Sequence, residues 1–314
     1  MLLMFPGQGS QKIGMGKDFY DNFSYARAVF QEIDDALGVN LSRLIFYGSE
    51  EELRATENAQ PALMAVCVAS FHVLRNDFFP EILDKTKFLA GHSLGEYTAM
   101  CVGGVLSISD TARLLRIRGQ AMAAACPQTG AMAAILGLDT NELEPLLENE
   151  NVDGSIVQLA NDNCPGQIVV SGHRSAVEIV MKKSMEAGAK KAVLLEVSGP
   201  FHSKLMESAK AVLAETMDSI KFCNPARPII SNVTAKAEIG NFKELLLRQL
   251  TSRVRWRECI EFATKNGVAK AVEIGSGKVL TGLAKRIAPH IELYNVNSVE
   301  SVEKLLKILE VHKN

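Results

Sequence analysis

Ser93 is the first residue with a case for chemistry. It stands in Gly91-His92-Ser93-Leu94-Gly95, a G-x-S-x-G pattern. The pattern alone is weak, because ordinary glycine and serine content produces it by chance about one time in ten in a chain this long. Its flanks add weight: 87–90 reads as an apolar strand and 96–102 as a helix. A strand that turns sharply into a helix needs glycine wherever a side chain would clash. The turn lifts the serine hydroxyl to the helix N-terminus, where backbone N–H groups favour developing negative charge. The plainer alternative is a strand–helix turn carrying a solvated serine.

A serine nucleophile needs a base, and there are six histidines to choose from. His72 and His312 fall on amphipathic helical patterns and read as surface residues. His173 and His290 fall in turns, and His92, inside the elbow, reads as its prop. His202 differs. It follows an apolar run over 193–197 and the turn Ser198-Gly199-Pro200-Phe201, with a helix expected to start near Ser203. That places it at the carboxyl end of a sheet strand, the edge where open α/β sheets build their sites.

Arg118 stands out by helical phase. A helix over 109–125 has an apolar stripe of Thr111, Leu114, Leu115, Ala121, Met122 and Ala125. Arg118 falls inside that stripe, while Arg113 and Arg116 fall off it. A guanidinium on a buried face must be paired or open into a cavity. Phase leaves two readings: the side chain snorkels to the surface, or it forks a carboxylate.

Other motifs exclude functions. Gly7-Gln8-Gly9-Ser10-Gln11 follows a strand over 2–5, but Lys12 stands where a dinucleotide fingerprint needs its third glycine. Gly275-Ser276-Gly277-Lys278 fails as a P-loop, with Val279 in place of Ser/Thr and Val272 in place of the first glycine. A glycine-rich turn after a strand still offers backbone N–H groups to an oxyanion. The 34 basic and 36 acidic residues give a net charge of −2, with no excess to neutralise a nucleic-acid backbone. Cys67, Cys101, Cys126, Cys164, Cys223 and Cys259 are too scattered for redox or zinc motifs and read as free thiols. The histidines form no HxxxH or HExxH pair. The N-terminus lacks a basic region, and Pro6-Gly7 breaks its apolar stretch, unlike a signal peptide. The twenty uncharged residues 119–138 could span a membrane by length, but Pro127-Gln128-Thr129-Gly130 reads as a turn splitting them.

The elements that must position these residues alternate between short apolar strands and amphipathic helices, which predicts an α/β protein. Further strands are expected over 228–231 and 271–274. One block differs. Strand 131–136, helix 141–148, strands 156–160 and 167–171, helix 175–187 and strand 192–197 follow the βαββαβ order of a ferredoxin-like unit. The expected fold is an α/β-hydrolase-like catalytic subdomain over 1–128 and 198–314, with a ferredoxin-like subdomain inserted over 129–197.

Taken together, the motifs resemble the malonyl-CoA:acyl carrier protein transacylase family. The resemblance runs nearly the whole chain. It rests on Phe5-Pro6-Gly7-Gln8-Gly9-Ser10-Gln11, Gly91 to Tyr97, Arg116-Ile117-Arg118-Gly119, Pro165-Gly166-Gln167, Gly199 to Ser203, Ser231-Asn232-Val233-Thr234 and Gly277-Lys278-Val279-Leu280, in family order and spacing. It implies Ser93 as the acyl-accepting nucleophile, His202 as its base and Arg118 as the clamp for the malonyl carboxylate. It implies the backbone N–H groups of Gln8 and Leu94 as an oxyanion hole. Gln249 would hold the His202 ring through its carbonyl, in place of a triad aspartate. Phe201 resembles the malonyl-preferring version. Arg253 departs from the pattern, since relatives often carry proline there, and this bears on the local loop. The implied partners are malonyl-CoA and phosphopantetheinylated acyl carrier protein. No metal, cofactor, nucleic acid or membrane is implied, and a cytoplasmic monomer is expected. A thioesterase or lipase would share the elbow but give Arg118 no carboxylate to bind. A degenerate binding module should have lost Ser93, His202 or Arg118, and all three are present.

Overall fold

The computed structural model describes residues 1–125, 129–148 and 154–308. Its strands are β1 (Leu2–Phe5), β2 (Phe88–Gly91), β3 (Gly130–Leu136), β4 (Val157–Cys164), β5 (Gln167–His173), β6 (Lys191–Leu194), β7 (Ile229–Ile230), β8 (Ala237–Glu238), β9 (Lys270–Ile274) and β10 (Glu292–Val296). They form two sheets. The larger runs β10-β9-β1-β2-β7-β8 and is parallel except for β8.

β1 and β2 are buried along their whole length. Their unbroken apolar sequences suit parallel strands covered on both faces, where alternation would put polar groups in the core. The register runs from Leu2 opposite Phe88 to Phe5 opposite Gly91, so the two strands end level. The Gly7-Gln8 turn and the His92-Ser93 elbow therefore leave the sheet side by side. β7 pairs with the other edge of β2 and delivers Ser231-Asn232 to the same end.

Helix Ile108–Ala125 buries Thr111, Leu114, Leu115, Arg118 and Met122, as its phase predicts. It packs on helix Thr56–Val73, which is buried nearly all round. Gly119 permits the contact, since a Cβ there would stand 2.5 Å from the Glu57 Cα. His72 lies on this second helix and is half-buried, not a surface residue of an amphipathic helix as expected. His312 and Cys126 lie outside the described residues, as do Pro127 and Gln128 of the 127–130 turn. Helix Ile108–Ala125 and β3 flank that turn as separate elements, and no helix among the described residues is long and apolar enough to cross a membrane.

The smaller sheet is antiparallel, in the order β4-β5-β3-β6, with helices Thr140–Glu148 and Arg174–Glu186 completing the βαββαβ succession. Ile135, Leu143, Val170 and Val177 build its core. Two strand expectations need correction. β4 runs on to Cys164, with register shifts after Leu159 and Asp162, because its polar residues find partners: Asp162 pairs with Arg257 at 2.8 Å. β6 stops at Leu194 where 197 was expected. It is an exposed edge strand whose pairing with β3 ends there, and apolar residues alone do not extend a ladder. The two units are joined where the Val254 backbone bonds Ala160 O at 2.8 Å and Asp162 N at 2.9 Å. Arg253 reaches Glu144 of the smaller unit at 3.6 Å across this junction and Glu258 of its own unit at 3.4 Å.

Candidate active site

Ser93 adopts φ 54°, ψ −109° directly before helix Leu94–Val102. A non-glycine residue here is strained, and such strain persists only where neighbours enforce it. The flanking glycines show the enforcement. A Cβ on Gly91 would lie 1.8 Å from Gly95 O, and one on Gly95 would lie 2.1 Å from Phe5 O. Asn232 clamps the turn from β7: its Oδ1 accepts from the Ser93 N–H at 2.8 Å and its Nδ2 donates to Gly91 O at 2.7 Å. His92 braces the elbow as expected, its Nε2 lying 2.9 Å from Asn163 Oδ1 on the smaller sheet.

His202 meets this serine. Its Nε2 lies 2.7 Å from Ser93 Oγ, and its Nδ1 lies 2.9 Å from the main-chain oxygen of Gln249. A carbonyl can only accept, so Nδ1 carries the proton and Nε2 is free to accept from the hydroxyl. The route to this position differs from the one the sequence suggests. The strand before His202 belongs to the smaller sheet and ends eight residues earlier, so His202 is not at a strand end of the parallel sheet. It arrives on the return connection between the units, with its own φ at 57°. A short 3₁₀ turn, Lys204–Met206, then leads into helix Glu207–Met217.

Arg118 is 1% exposed, which removes the snorkelling alternative. Its Nη1 donates to Gln60 Oε1 at 2.7 Å, and its Nη2 donates to Gln249 Oε1 at 2.9 Å and Ser93 Oγ at 3.0 Å. The guanidinium also lies 5.3 Å from the centre of the Tyr97 ring. None of these hydrogen-bond partners is an anion. A buried cation held by two neutral amides beside a serine hydroxyl has the chemistry to pair with an anion.

The electrostatics follow from burial. Desolvation, reinforced by the Arg118 cation, pushes the His202 imidazole down to about 3, so it is neutral at pH 7 with Nε2 unprotonated. Burial raises the Glu96 carboxyl to about 7. A cavity of about 430 Å³ opens over Ser93 and is lined by Gln8, Leu94, Arg118, Phe201 and His202 among others. Because Asn232 occupies the Ser93 N–H, an oxyanion formed here must look elsewhere. Gln8 and Leu94 border the cavity, and no turn or side-chain oxygen among the described residues takes their N–H groups.

Five of the six expected site residues thus line one cavity, and the sixth, Gln249, is fully buried and bonds His202 and Arg118. The family described as acyl transferase domain matches residues 2–302. The chain belongs to that family. It is 45% identical over 310 residues to a malonyl CoA-acyl carrier protein transacylase of Bacillus subtilis, covering 98% of this chain and 96% of the relative. A protein of the same name from Haemophilus influenzae is 40% identical, covering 98% of each. The crystal structure of an acyl-carrier-protein-S-malonyltransferase from Bartonella henselae superposes with a TM-score of 0.94 at 48% identity, covering 99% of both chains. A malonyl-transacylase solved in complex with a type II PKS acyl-carrier protein superposes at 0.92 with 39% identity, covering 98% of this chain and 99% of that one.

Within this acyl transferase, sequence reasoning missed two residues. Gln60 was legible in principle, as an amide inside an otherwise apolar helical run. Asn232 follows a strand of only two residues, and nothing local announces its clamp.

Proposed function

We propose that this protein transfers malonyl from malonyl-CoA to the phosphopantetheine thiol of acyl carrier protein through a malonyl-Ser93 intermediate, supplying fatty acid synthesis. Ser93 Oγ attacks the thioester carbonyl while His202 Nε2 takes its proton. The Gln249 carbonyl holds the imidazole in the accepting tautomer, the place an aspartate fills in other serine enzymes. The tetrahedral oxyanion rests on the Gln8 and Leu94 N–H groups. The C–S bond breaks, the CoA sulfur leaves with the proton from His202, and malonyl remains esterified to Ser93. The carrier-protein thiol then gives its proton to His202 and attacks that ester, and the Ser93 oxygen leaves reprotonated.

The observation that carries this reading is Arg118: a buried cation with neutral hydrogen-bond partners, 3.0 Å from the nucleophile. A hydrolase of plain acyl chains has no use for it. The reading divides the chain into a catalytic subdomain, 1–128 and 198–314, and an inserted one, 129–197. It includes no metal or cofactor, and a monomer working in the cytoplasm. Intact mass after incubation with malonyl-CoA tests it. A malonyl adduct mapped to Ser93 and discharged by holo acyl carrier protein is expected. No adduct, or discharge to water alone, refutes it.

A further inference from the structure

Glu96 is a carboxylic acid that none of the steps above uses. It is the third residue of helix Leu94–Val102 and has no exposed surface. Its Oε2 accepts from Gln249 Nε2 at 2.7 Å and from the Asn232 backbone N–H at 3.2 Å, while its Oε1 has no hydrogen-bond partner. Burying a carboxyl this way is costly and shows in its raised pKa.

The Gln249 side chain is what Glu96 holds. That amide makes three contacts: Nε2 to Glu96 and to Ser93 O at 3.0 Å, and Oε1 from Arg118 Nη2 at 2.9 Å. Two acceptors face one end and a donor faces the other, so only one sense of the amide fits. The main chain of Gln249 separately carries the His202 bond.

We propose that Glu96 is a positioning residue for acyl selection: by fixing the Gln249 amide, it aims the Arg118 guanidinium at the acyl group on Ser93. This rests on the malonyl-transfer reading of the site. The role requires reach and an acceptor oxygen, not a charge. Glu96→Gln keeps an oxygen where Oε2 stands. Glu96→Asp keeps the carboxylate but is one methylene short of Gln249.

The experiment measures kcat/KM for Ser93 acylation by malonyl-CoA and acetyl-CoA, with thermal melts confirming that each variant is folded. Glu96→Asp is expected to lose about tenfold in malonyl-over-acetyl preference, mostly as a raised malonyl-CoA KM, the worth of one charge-assisted hydrogen bond. Glu96→Gln is expected to stay within about threefold of wild type. In a Gln249→Leu background, Glu96→Asp is expected to change the preference no further, since the two act as one unit. Equal losses for both acyl groups, or Glu96→Gln more damaged than Glu96→Asp, overturn the inference alone. A wild type that forms no malonyl adduct overturns the proposed function and this inference with it.

Discussion

Replacing Arg118 separates carboxylate recognition from scaffolding. In the free protein its guanidinium gives hydrogen bonds to Gln60 Oε1 at 2.7 Å, Gln249 Oε1 at 2.9 Å and Ser93 Oγ at 3.0 Å. A malonyl carboxylate would exchange two of these for bonds to an anion. Charge-assisted bonds contribute about 1.5–3 kcal/mol each; the bonds given up already have a charged donor, so exchanging two of them for bonds to an anion is taken to add about one such bond's worth. The net gain is therefore about 1.5–3 kcal/mol for the pair. At 1.4 kcal/mol per factor of ten, Arg118→Ala should lower malonyl-CoA kcat/KM by about 10- to 100-fold. The substitution also strands the oxygens of Gln60 and Gln249, both fully buried, at about 1–3 kcal/mol each in stability. Acetyl-CoA is the internal control, since it shares the thioester and the scaffold but lacks the carboxylate. Its kcat/KM should hold or rise. Arg118→Lys should recover malonyl transfer only in part, because an ammonium cannot make the planar two-point contact. The assay is kcat/KM for both substrates on wild type and both variants. Equal losses for malonyl-CoA and acetyl-CoA would make Arg118 a scaffold residue and remove the main support for malonyl specificity.

Ser93→Ala should abolish transfer and the covalent adduct while the melting temperature holds; an adduct on the variant would move the nucleophile elsewhere. His202→Ala should cost about 10²- to 10⁴-fold, the usual worth of a general base. In the wild type, burial and Arg118 favour the neutral imidazole, so malonylation at low malonyl-CoA should stay flat well below pH 6.5, with its acid limb near 3. Saturating malonyl-CoA pairs Arg118 with an anion, so that limb should move to higher pH; a limb that stays put uncouples the two residues. Gly119→Ala should destabilise the fold by about 1–3 kcal/mol in denaturant titrations, because its Cβ would meet the Glu57 Cα at 2.5 Å and the helices must part. An unchanged transition midpoint would refute that packing argument.

Elements with a local signal were legible in the sequence. The βαββαβ order of the smaller unit followed from period and turn residues, and its helices fall within a residue or so of the expected ranges. Strand ends were less legible, because pairing decides them. β6 stops at Leu194, where its ladder with β3 ends in one last bond from the Leu195 N–H to Met132 O at 2.9 Å, although Leu195 and Val197 are apolar. β4 continues through Asn161, Asp162 and Asn163, which pattern reading treats as strand breakers. Those residues are retained because Arg257 and His92 supply partners from the other unit.

The same division runs through the site. Ser93 was legible because its elbow is made by its own neighbours, and Arg118 because a cation on an apolar helical stripe is a local contradiction. His202 meets Ser93, but by a route other than the one its sequence position suggests. Its position depends on a connection returning from the smaller unit, with the ring held by Gln249, 47 residues later in the chain. Gln60 and Asn232 reach Arg118 and Ser93 across 58 and 139 residues. No window of sequence contains both ends of such a bond, and hydropathy does not record it. A serine at a strand–helix turn is thus readable from its own segment. The groups that meet it, the His202 ring with its Gln249 carbonyl and the Arg118 guanidinium, are fixed only when β1, β2 and β7 end at one level and the second unit folds over them.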